Sequence, residues 1–208
     1  MMPSPVKIFV EGVADKKFLS DYIHYVASAL EITSETIIDS GGWTNIDSKK
    51  EKGEDIRIKM SNNTADGGKN LVIFDADKDY VIRKKEIEDW RTRYSLSFEL
   101  FLLPNNNAIG ALEELLENII VNKNQPILDC WDKYEQCLRS KEINGRAKPL
   151  TTPSKKTKIY GYLEALLGET KKEKDQIKER ERNYQNPEHW NLDADYLEPL
   201  KKFLLANL

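Results

Sequence analysis

Short apolar runs alternate with longer charged stretches through the first half of the chain. Four runs are predicted to be strands: Val6 to Val10, Glu35 to Ile38, Leu71 to Phe74 and Phe98 to Leu103. They are nearly continuous in apolar residues and do not alternate with polar ones, which is typical of parallel strands buried on both faces. Strands alternating with crossover helices predict an α/β fold, a Rossmann-like parallel four-stranded sheet flanked by helices on both sides.

The stretches between these strands carry apolar residues at helical spacing. The clearest is Ala14 to Leu30, whose apolar face consists of Phe18, Leu19, Tyr22, Ile23 and Val26. Weaker patterns predict helices over Asn45 to Met60 and Arg83 to Arg93. Together with the strands, these helices predict a right-handed, doubly wound, four-stranded core.

After Pro104 no strand is predicted, and helical patterns take over. They cover Gly110 to Val121, Pro126 to Leu138, Ile159 to Leu167 and Leu192 to Leu208. The segment Lys141 to Lys158 is predicted to be a loop, and Thr170 to Arg182 a solvated helix or disordered loop. We therefore predict a core of residues 1–104 and a helical C-terminal extension of residues 105–208 packed on it, together forming one compact domain.

The charge balance changes the picture only locally. The chain has 208 residues and a formal net charge of −3, which excludes a uniformly basic nucleic-acid-binding protein. Lys141 to Lys158 nevertheless carries six basic residues and one acid. Within it, Lys155 and Lys156 are candidates for binding substrate phosphates, and Lys158 for stabilising a developing oxyanion as a catalytic residue. Ordinary solvated lysines are the alternative.

The sequence contains neither a predicted membrane span nor a predicted signal peptide. No apolar run approaches the roughly 18 residues that cross a bilayer, and Met1 to Val10 is too polar for a signal peptide. We expect a cytoplasmic protein without a membrane partner.

Cys130 and Cys137 are the only cysteines and are predicted to be buried free thiols. His24 and His189 have no histidine partner at ligand spacing and are expected to be structural.

Acidic residues follow the first and third predicted strands directly. Glu11 comes after Val10, and Asp75 and Asp77 come after Phe74. If the two strands are neighbours, their carboxyl ends lie about 5 Å apart, so the three carboxylates converge on one point. Such a cluster repels itself unless a cation is bound. Its hard oxygen donors suit Mg²⁺ or Mn²⁺ better than Zn²⁺.

Several neighbouring residues have more than one possible role. Asp15 is either a helix cap or a metal-facing group, and Asp79 is either a further metal ligand or a structural residue. Gly12 would let the chain turn sharply and a substrate phosphate approach the helix start. Gly41 and Gly42 either form a plain tight turn or direct backbone amides at a phosphate.

The two acidic motifs also carry a family resemblance. Val10-Glu11-Gly12-x-x-Asp15 followed by Phe74-Asp75-Ala76-Asp77 resembles the TOPRIM domain of topoisomerases, bacterial primases, recombination mediators and several nucleases. The resemblance covers Val6 to Leu103. It implies that Glu11 acts as a metal ligand or general acid/base and that Asp75 and Asp77 hold Mg²⁺.

Small stand-alone TOPRIM proteins akin to the OLD (overcoming lysogenization defect) nucleases are the most similar group. That similarity extends to Ser40-Gly41-Gly42-Trp43 and to Gly110-Ala111-Leu112-Glu113-Glu114. It implies that Glu113 helps to build a second metal position. The adjacent Glu114 matches that position less well and could instead be a solvated residue on the helix surface. The chain lacks the Walker-type phosphate-binding loop of the ATPase that is fused to the OLD nucleases. Any nuclease activity would therefore be either self-sufficient or controlled by a protein partner, such as an ATPase or a repair complex.

These features predict a Mg²⁺- or Mn²⁺-dependent phosphodiester hydrolase acting on DNA or RNA, in DNA repair or phage defence. One alternative is a non-catalytic TOPRIM module that scaffolds a repair or defence complex. Another is a phosphatase, because Ile73-Phe74-Asp75-Ala76-Asp77 also resembles the nucleophile motif of haloacid dehalogenases. The choice between DNA and RNA, endonuclease and exonuclease, and the oligomeric state stay open at this stage.

Overall fold

A computed structural model describes residues 5–29, 32–33, 35–47 and 51–208. The first half contains four strands and four helices: β1 (Val6–Val10), α1 (Val13–Val26), β2 (Ile37–Asp39), α2 (Trp43–Ile46), α3 (Glu51–Ala65), β3 (Lys69–Asp75), α4 (Tyr80–Arg93) and β4 (Glu99–Leu103). The second half adds α5 (Leu112–Asn118), α6 (Gln125–Ser140), α7 (Lys155–Leu167), α8 (Lys171–Ile177) and α9 (Glu198–Asn207), with short 3₁₀ turns before α6 and α9.

The strands form one parallel sheet in the order β2-β1-β3-β4, which confirms the predicted fold class. The chain passes from β1 outward to β2, then crosses β1 to reach β3 and continues to β4. The winding direction therefore reverses between β1 and β3, where Val10 is paired with Ile73. In open parallel sheets, ligands bind beyond the carboxyl ends of the strands at such a reversal.

Alternate residues of β3 pack into two different hydrophobic clusters. Leu71 and Ile73 lie in the cluster that contains α1, whereas Val72 and Phe74 lie in the cluster that contains α3 and α4. Both faces of the sheet are thus covered, and this is why the strand is apolar at consecutive positions.

The second half of the chain shares the first of these clusters. Leu115 of α5, Leu163 of α7 and Leu204 of α9 are buried together with Ile8 of β1 and Ile73 of β3. The helical extension therefore packs on the α1 side of the sheet, which brings its segments close to the ends of β1 and β3.

Some element boundaries differ from the predictions. The predicted helix from Asn45 to Met60 corresponds to two helices. The four-residue α2 follows Gly42 (φ 95°), and α3 begins at Glu51. Residues 48–50 lie outside the described part. Helix α1 ends at Val26, and the predicted end at Leu30 also lies outside the described residues.

Two segments predicted to be loop or solvent-facing are more ordered than expected. Lys155 to Lys158 form the first turn of α7, because the Ser154 hydroxyl caps this helix by accepting the Thr157 N–H at 3.3 Å. Within Thr170 to Arg182, α8 bears out the helix alternative of the prediction, but Ile177 and Arg182 are buried. The Arg182 guanidinium lies 5.1 Å from the centre of the Tyr160 ring, so this segment is anchored to α7.

The prediction of buried thiols is wrong. Cys130 and Cys137 are both exposed free cysteines on α6. Leu128 is the one residue of this helix that is fully buried, so most of the helix faces solvent. His189 is buried, and its backbone carbonyl accepts a hydrogen bond from Tyr162 Oη at 3.0 Å, in keeping with a structural role. No helix of the described residues has the length and apolar character to span a membrane.

Candidate functional site

An open cleft of about 490 Å³ lies where β1, β2 and β3 end. Each of these strands contributes an acid at or just after its last residue, and further acids come from α1, α5 and the segment after α8. Its acidic lining residues are Glu11, Asp15, Asp39, Asp75, Glu113 and Glu179, and its basic lining residue is Lys156. The cleft is therefore strongly acidic although the whole chain is close to neutral.

Glu11 connects the elements that meet at this cleft. It follows β1, and its carboxylate accepts the backbone N–H of Asp75 at 3.2 Å and that of Trp43 at 3.3 Å. Burial raises the pKa of Glu11, while these two hydrogen bonds and the charge of Arg83 act in the opposite direction. The sheet edge thereby holds the carboxylate in one orientation facing the cleft.

Asp75 is the most perturbed acid of the cleft. It ends β3, and its Oδ1 accepts the Leu112 N–H at 3.1 Å, which ties it to the start of α5. Burial raises its pKa to about 9, helped by the negative charges of Asp15, Glu11 and Glu113. Without a compensating cation, Asp75 keeps its proton at neutral pH.

Asp15 caps α1 and also lines the cleft. Its Oδ2 accepts the Gly12 N–H at 2.8 Å and so caps α1. Burial raises its pKa to about 7, with further contributions from the charges of Glu11 and Glu113. These groups and Asp75 influence one another electrostatically, so they act as one acidic cluster.

Asp77 does not line the cleft, although its negative charge also acts to raise the pKa of Glu11 and of Asp75. Residue 77 has a left-handed backbone (φ 52°) and pairs with Gly110 through N–H···O bonds of 2.8 and 2.7 Å, and its carboxylate is paired with Arg83. An extended chain would place Asp75 and Asp77 on the same side, but the strand ends at Asp75 and the left-handed residue redirects the chain. The predicted convergence of Glu11, Asp75 and Asp77 is therefore not observed.

No three His, Cys, Asp or Glu side chains among the described residues are already arranged to hold a metal ion. Asp79, another candidate ligand, instead caps α4 by accepting the Ile82 N–H at 3.0 Å. Glu113 lines the acidic cleft, whereas Glu114 folds back and accepts the Ala111 N–H at 2.8 Å.

The predicted glycines line the cleft, but they differ in their reasons for being glycine. Gly41 (φ 73°) and Gly42 (φ 95°) have left-handed backbones that favour glycine. The Gly41 N–H donates to Asp39 Oδ1 at 2.7 Å and is therefore already occupied. The chain bends at Gly12, as predicted, but this residue is extended (φ −147°) and has room for a Cβ atom, so the bend does not require glycine.

Only one of the three candidate lysines lines the cleft. Lys156 does so while paired with Glu179 at 2.5 Å. Lys155 is paired with Glu117 at 2.7 Å outside the cleft. Lys158 is buried on the inner face of α7, where its ammonium pairs with Glu117 at 2.6 Å and with Asp132 at 2.8 Å. Lys158, the predicted catalytic lysine, and both of its ion-pair partners are therefore not among the residues that line the cleft.

Lys158→Met is expected to lower the free energy of unfolding by about 1–3 kcal/mol, because it removes a nearly buried ion-pair partner. Lys155→Met is the matched control: it removes the other partner of Glu117, but its side chain is 52% exposed compared with 7% for Lys158. Urea titration measures both. Mg²⁺ binding, followed by calorimetry, should be unchanged in each variant; loss of Mg²⁺ binding at unchanged stability in Lys158→Met would contradict a structural role.

The sequence reasoning missed three residues around the site. Asp39 had a usable signal, because it ends a strand as Asp75 does, but the second strand was predicted to stop one residue earlier. Glu179 had none, since only the packing of the segment after α8 against α7 brings it to the cleft. Arg83 read as an ordinary helix residue, yet its charge acts on Glu11.

Comparison with known proteins adds a family but no activity. No curated protein and no solved structure shows significant similarity to the chain. A family model, DUF3226, whose description is "protein of unknown function", matches residues 5–206. Because this match spans nearly the whole sequence, the chain belongs to the DUF3226 family.

Proposed function

We propose that this protein is a nuclease that hydrolyses phosphodiester bonds of DNA or RNA with Mg²⁺ or Mn²⁺, as its resemblance to TOPRIM nucleases implies. The observation that carries the proposal is the environment of Asp75. Its pKa is raised to about 9 by burial and by four neighbouring carboxyl groups. Strongly perturbed acids in a cleft at the switch point of a parallel sheet are typical of functional sites.

The donor set of the cleft fits a hard divalent cation. All the candidate ligands are carboxylate oxygens, which Mg²⁺ and Mn²⁺ prefer, and they carry more negative charge than Lys156 balances. Glu11 and Asp75 would hold the ion, with Asp15 and Glu113 beside them. Since no three groups of the described residues are prearranged for this, side chains must rotate on binding, and the openness of the cleft leaves them space.

A divalent cation bound there would polarise a phosphate and lower the pKa of a water molecule. The chain's own groups prepare the rest of the site. Two backbone N–H groups orient the Glu11 carboxylate, and Asp15, whose pKa is raised to about 7, can take up or release a proton near neutral pH. Gly42 leaves open space next to the cleft, where a substrate backbone can approach.

The hydrogen bond between Glu11 and the Asp75 N–H supports this proposal over a haloacid-dehalogenase-type phosphatase. A phosphatase of that family would need an acid pair at the end of a later strand, whereas β4, the strand after β3, ends at Leu103 without one. That family's motif also leaves Glu11 unexplained. Here Glu11 and Asp75 form one unit. We further propose a cytoplasmic location, in keeping with a nucleic-acid substrate, and an ATPase or repair complex as a protein partner.

The test is to incubate the purified chain with end-labelled single- and double-stranded DNA and RNA in Mg²⁺, Mn²⁺ or EDTA. We expect cleavage of at least one substrate with Mg²⁺ or Mn²⁺ and none in EDTA. Binding without turnover under every divalent metal would refute the nuclease and indicate a non-catalytic TOPRIM module. Rapid turnover of an aryl phosphate with intact nucleic acid would instead indicate the phosphatase.

A further inference from the structure

Arg83 lies on α4 between the acidic cleft and a second open cavity. This cavity has a volume of about 390 Å³ and is lined by residues 76–79, Ile82, Arg83 and Glu86. On the other side, the guanidinium lies over Trp43, with Cζ 5.5 Å from the ring centre. The backbone N–H of Trp43 in turn donates to Glu11 at 3.3 Å. Trp43 therefore lies between the positive charge of Arg83 and the carboxylate of Glu11.

The Arg83 side chain is restrained but not saturated. Only 14% of it is exposed, and its terminal nitrogens pair with Asp77 and, at 3.3 Å, with Glu86. Its Nε is buried and has no hydrogen-bond partner. A guanidinium has five N–H donors in a planar fork that matches a phosphate group. Four of them are on the two terminal nitrogens, each of which pairs here with one carboxylate, so these nitrogens have donor capacity left for a ligand.

Asp77 is suited to be an exchangeable partner. Its side chain is 49% exposed, so its carboxylate can be solvated when the pair opens. Its backbone is held separately, through the two hydrogen bonds to Gly110. The carboxylate can therefore leave Arg83 by side-chain rotation alone, without a rearrangement of the chain.

We propose that Arg83 binds a non-bridging phosphate oxygen of the substrate, and that Asp77 occupies Arg83 until that phosphate displaces it. The ligand class is a phosphodiester or phosphomonoester oxyanion, held by charge-assisted hydrogen bonds in the plane of the guanidinium. The inference rests on the proposed function for the identity of the phosphate as part of a nucleic acid, but the binding itself requires neither a metal nor turnover.

The test is binding of a short fluorescent single-stranded oligonucleotide in EDTA, followed by fluorescence anisotropy. Asp77→Asn frees Arg83, and asparagine tolerates the left-handed backbone of residue 77. It is expected to bind about tenfold more tightly than the wild type. Asp79→Asn is the matched control, because it removes one negative charge from the same cavity, keeps a residue that caps α4 well and leaves the Arg83 pair intact.

Asp77→Asn should raise the affinity for the oligonucleotide more than Asp79→Asn does, and this excess should disappear when Arg83→Ala is added. With Arg83→Lys, which keeps the charge but not the fork, the excess should fall to an intermediate value. Circular dichroism checks that each variant is folded, and the Arg83→Lys arm stands if the alanine variant is not. Equal tightening in Asp77→Asn and Asp79→Asn, or tightening that survives both Arg83 substitutions, would overturn the inference.

This outcome is separable from that of the nuclease proposal. If the wild type cleaves nucleic acid with Mg²⁺ but the Arg83-dependent excess is absent, Arg83 is not the phosphate ligand and the proposed function stands. If the excess is present and no metal supports cleavage, the anion site stands and the nuclease does not.

Discussion

Asp75→Asn is expected to reduce Mg²⁺-dependent cleavage of nucleic acid by about 10³-fold or more, since a bound metal supplies several kcal/mol of transition-state stabilisation. Asparagine removes an anionic ligand and keeps an oxygen that can accept the Leu112 N–H, now made to Asp75 Oδ1 at 3.1 Å. The fold should therefore be preserved. Glu11→Gln is expected to have an effect of the same order, because it removes the other central ligand.

Asp89→Asn is the control for these activity measurements. Asp89 is an exposed acid within α4, and its replacement changes the net charge by the same amount without touching the cleft. Initial cleavage rates are compared at saturating Mg²⁺, alongside far-ultraviolet circular dichroism. Wild-type rates in both Asp75→Asn and Glu11→Gln would remove the acidic cleft from the mechanism.

The same Asp75→Asn substitution is expected to stabilise the metal-free protein at neutral and alkaline pH. Folding raises the pKa of Asp75 from 3.8 to about 9, so between these values the native state binds more protons than the unfolded state. The wild type therefore loses stability as pH rises through this window. Asparagine mimics the protonated acid and does not titrate, so its advantage grows with pH and reaches the order of several kcal/mol.

Urea unfolding in EDTA at a series of pH values measures this effect. The two proteins should be equally stable well below pH 3.8, where the acid is neutral in both states, and should diverge as pH rises. Mg²⁺ should then stabilise the wild type more at higher pH, because its ligands must be ionised, and should leave Asp75→Asn almost unaffected. An asparagine variant less stable than the wild type at high pH in EDTA would contradict the repulsion on which the site rests.

The strands that were predicted best are those whose burial leaves the strongest pattern. The first strand was predicted with its observed bounds, and β3 and β4 differ from the predictions by one or two residues. Strands covered on both faces need apolar residues at consecutive positions, and few other structures produce that pattern. The three-residue β2 is too short for a comparable signal, so its end at Asp39 was missed.

The site was predicted in part for a similar reason. Glu11 and Asp75 could be placed together because both follow apolar strands and parallel strands end at one edge. Asp77 could not, since its direction depends on a left-handed backbone and on the pair with Arg83. Local spacing also could not reveal that Lys158 points inward to Glu117. Lys155, Lys156 and Lys158 lie close together in sequence, and nothing in that run of charges indicates which side chain is buried.

The sequence by itself determined the parallel α/β sheet and the acids that follow its first and third strands, because apolar runs and strand ends are local properties. The tertiary structure alone decided which charges meet there. It brought Asp15, Glu113 and Glu179 to the cleft, assigned Asp77 to Arg83 and buried Lys158 away from it. Those choices depend on packing between segments far apart in the chain, where burial and neighbouring charges set the pKa and the partner of each group.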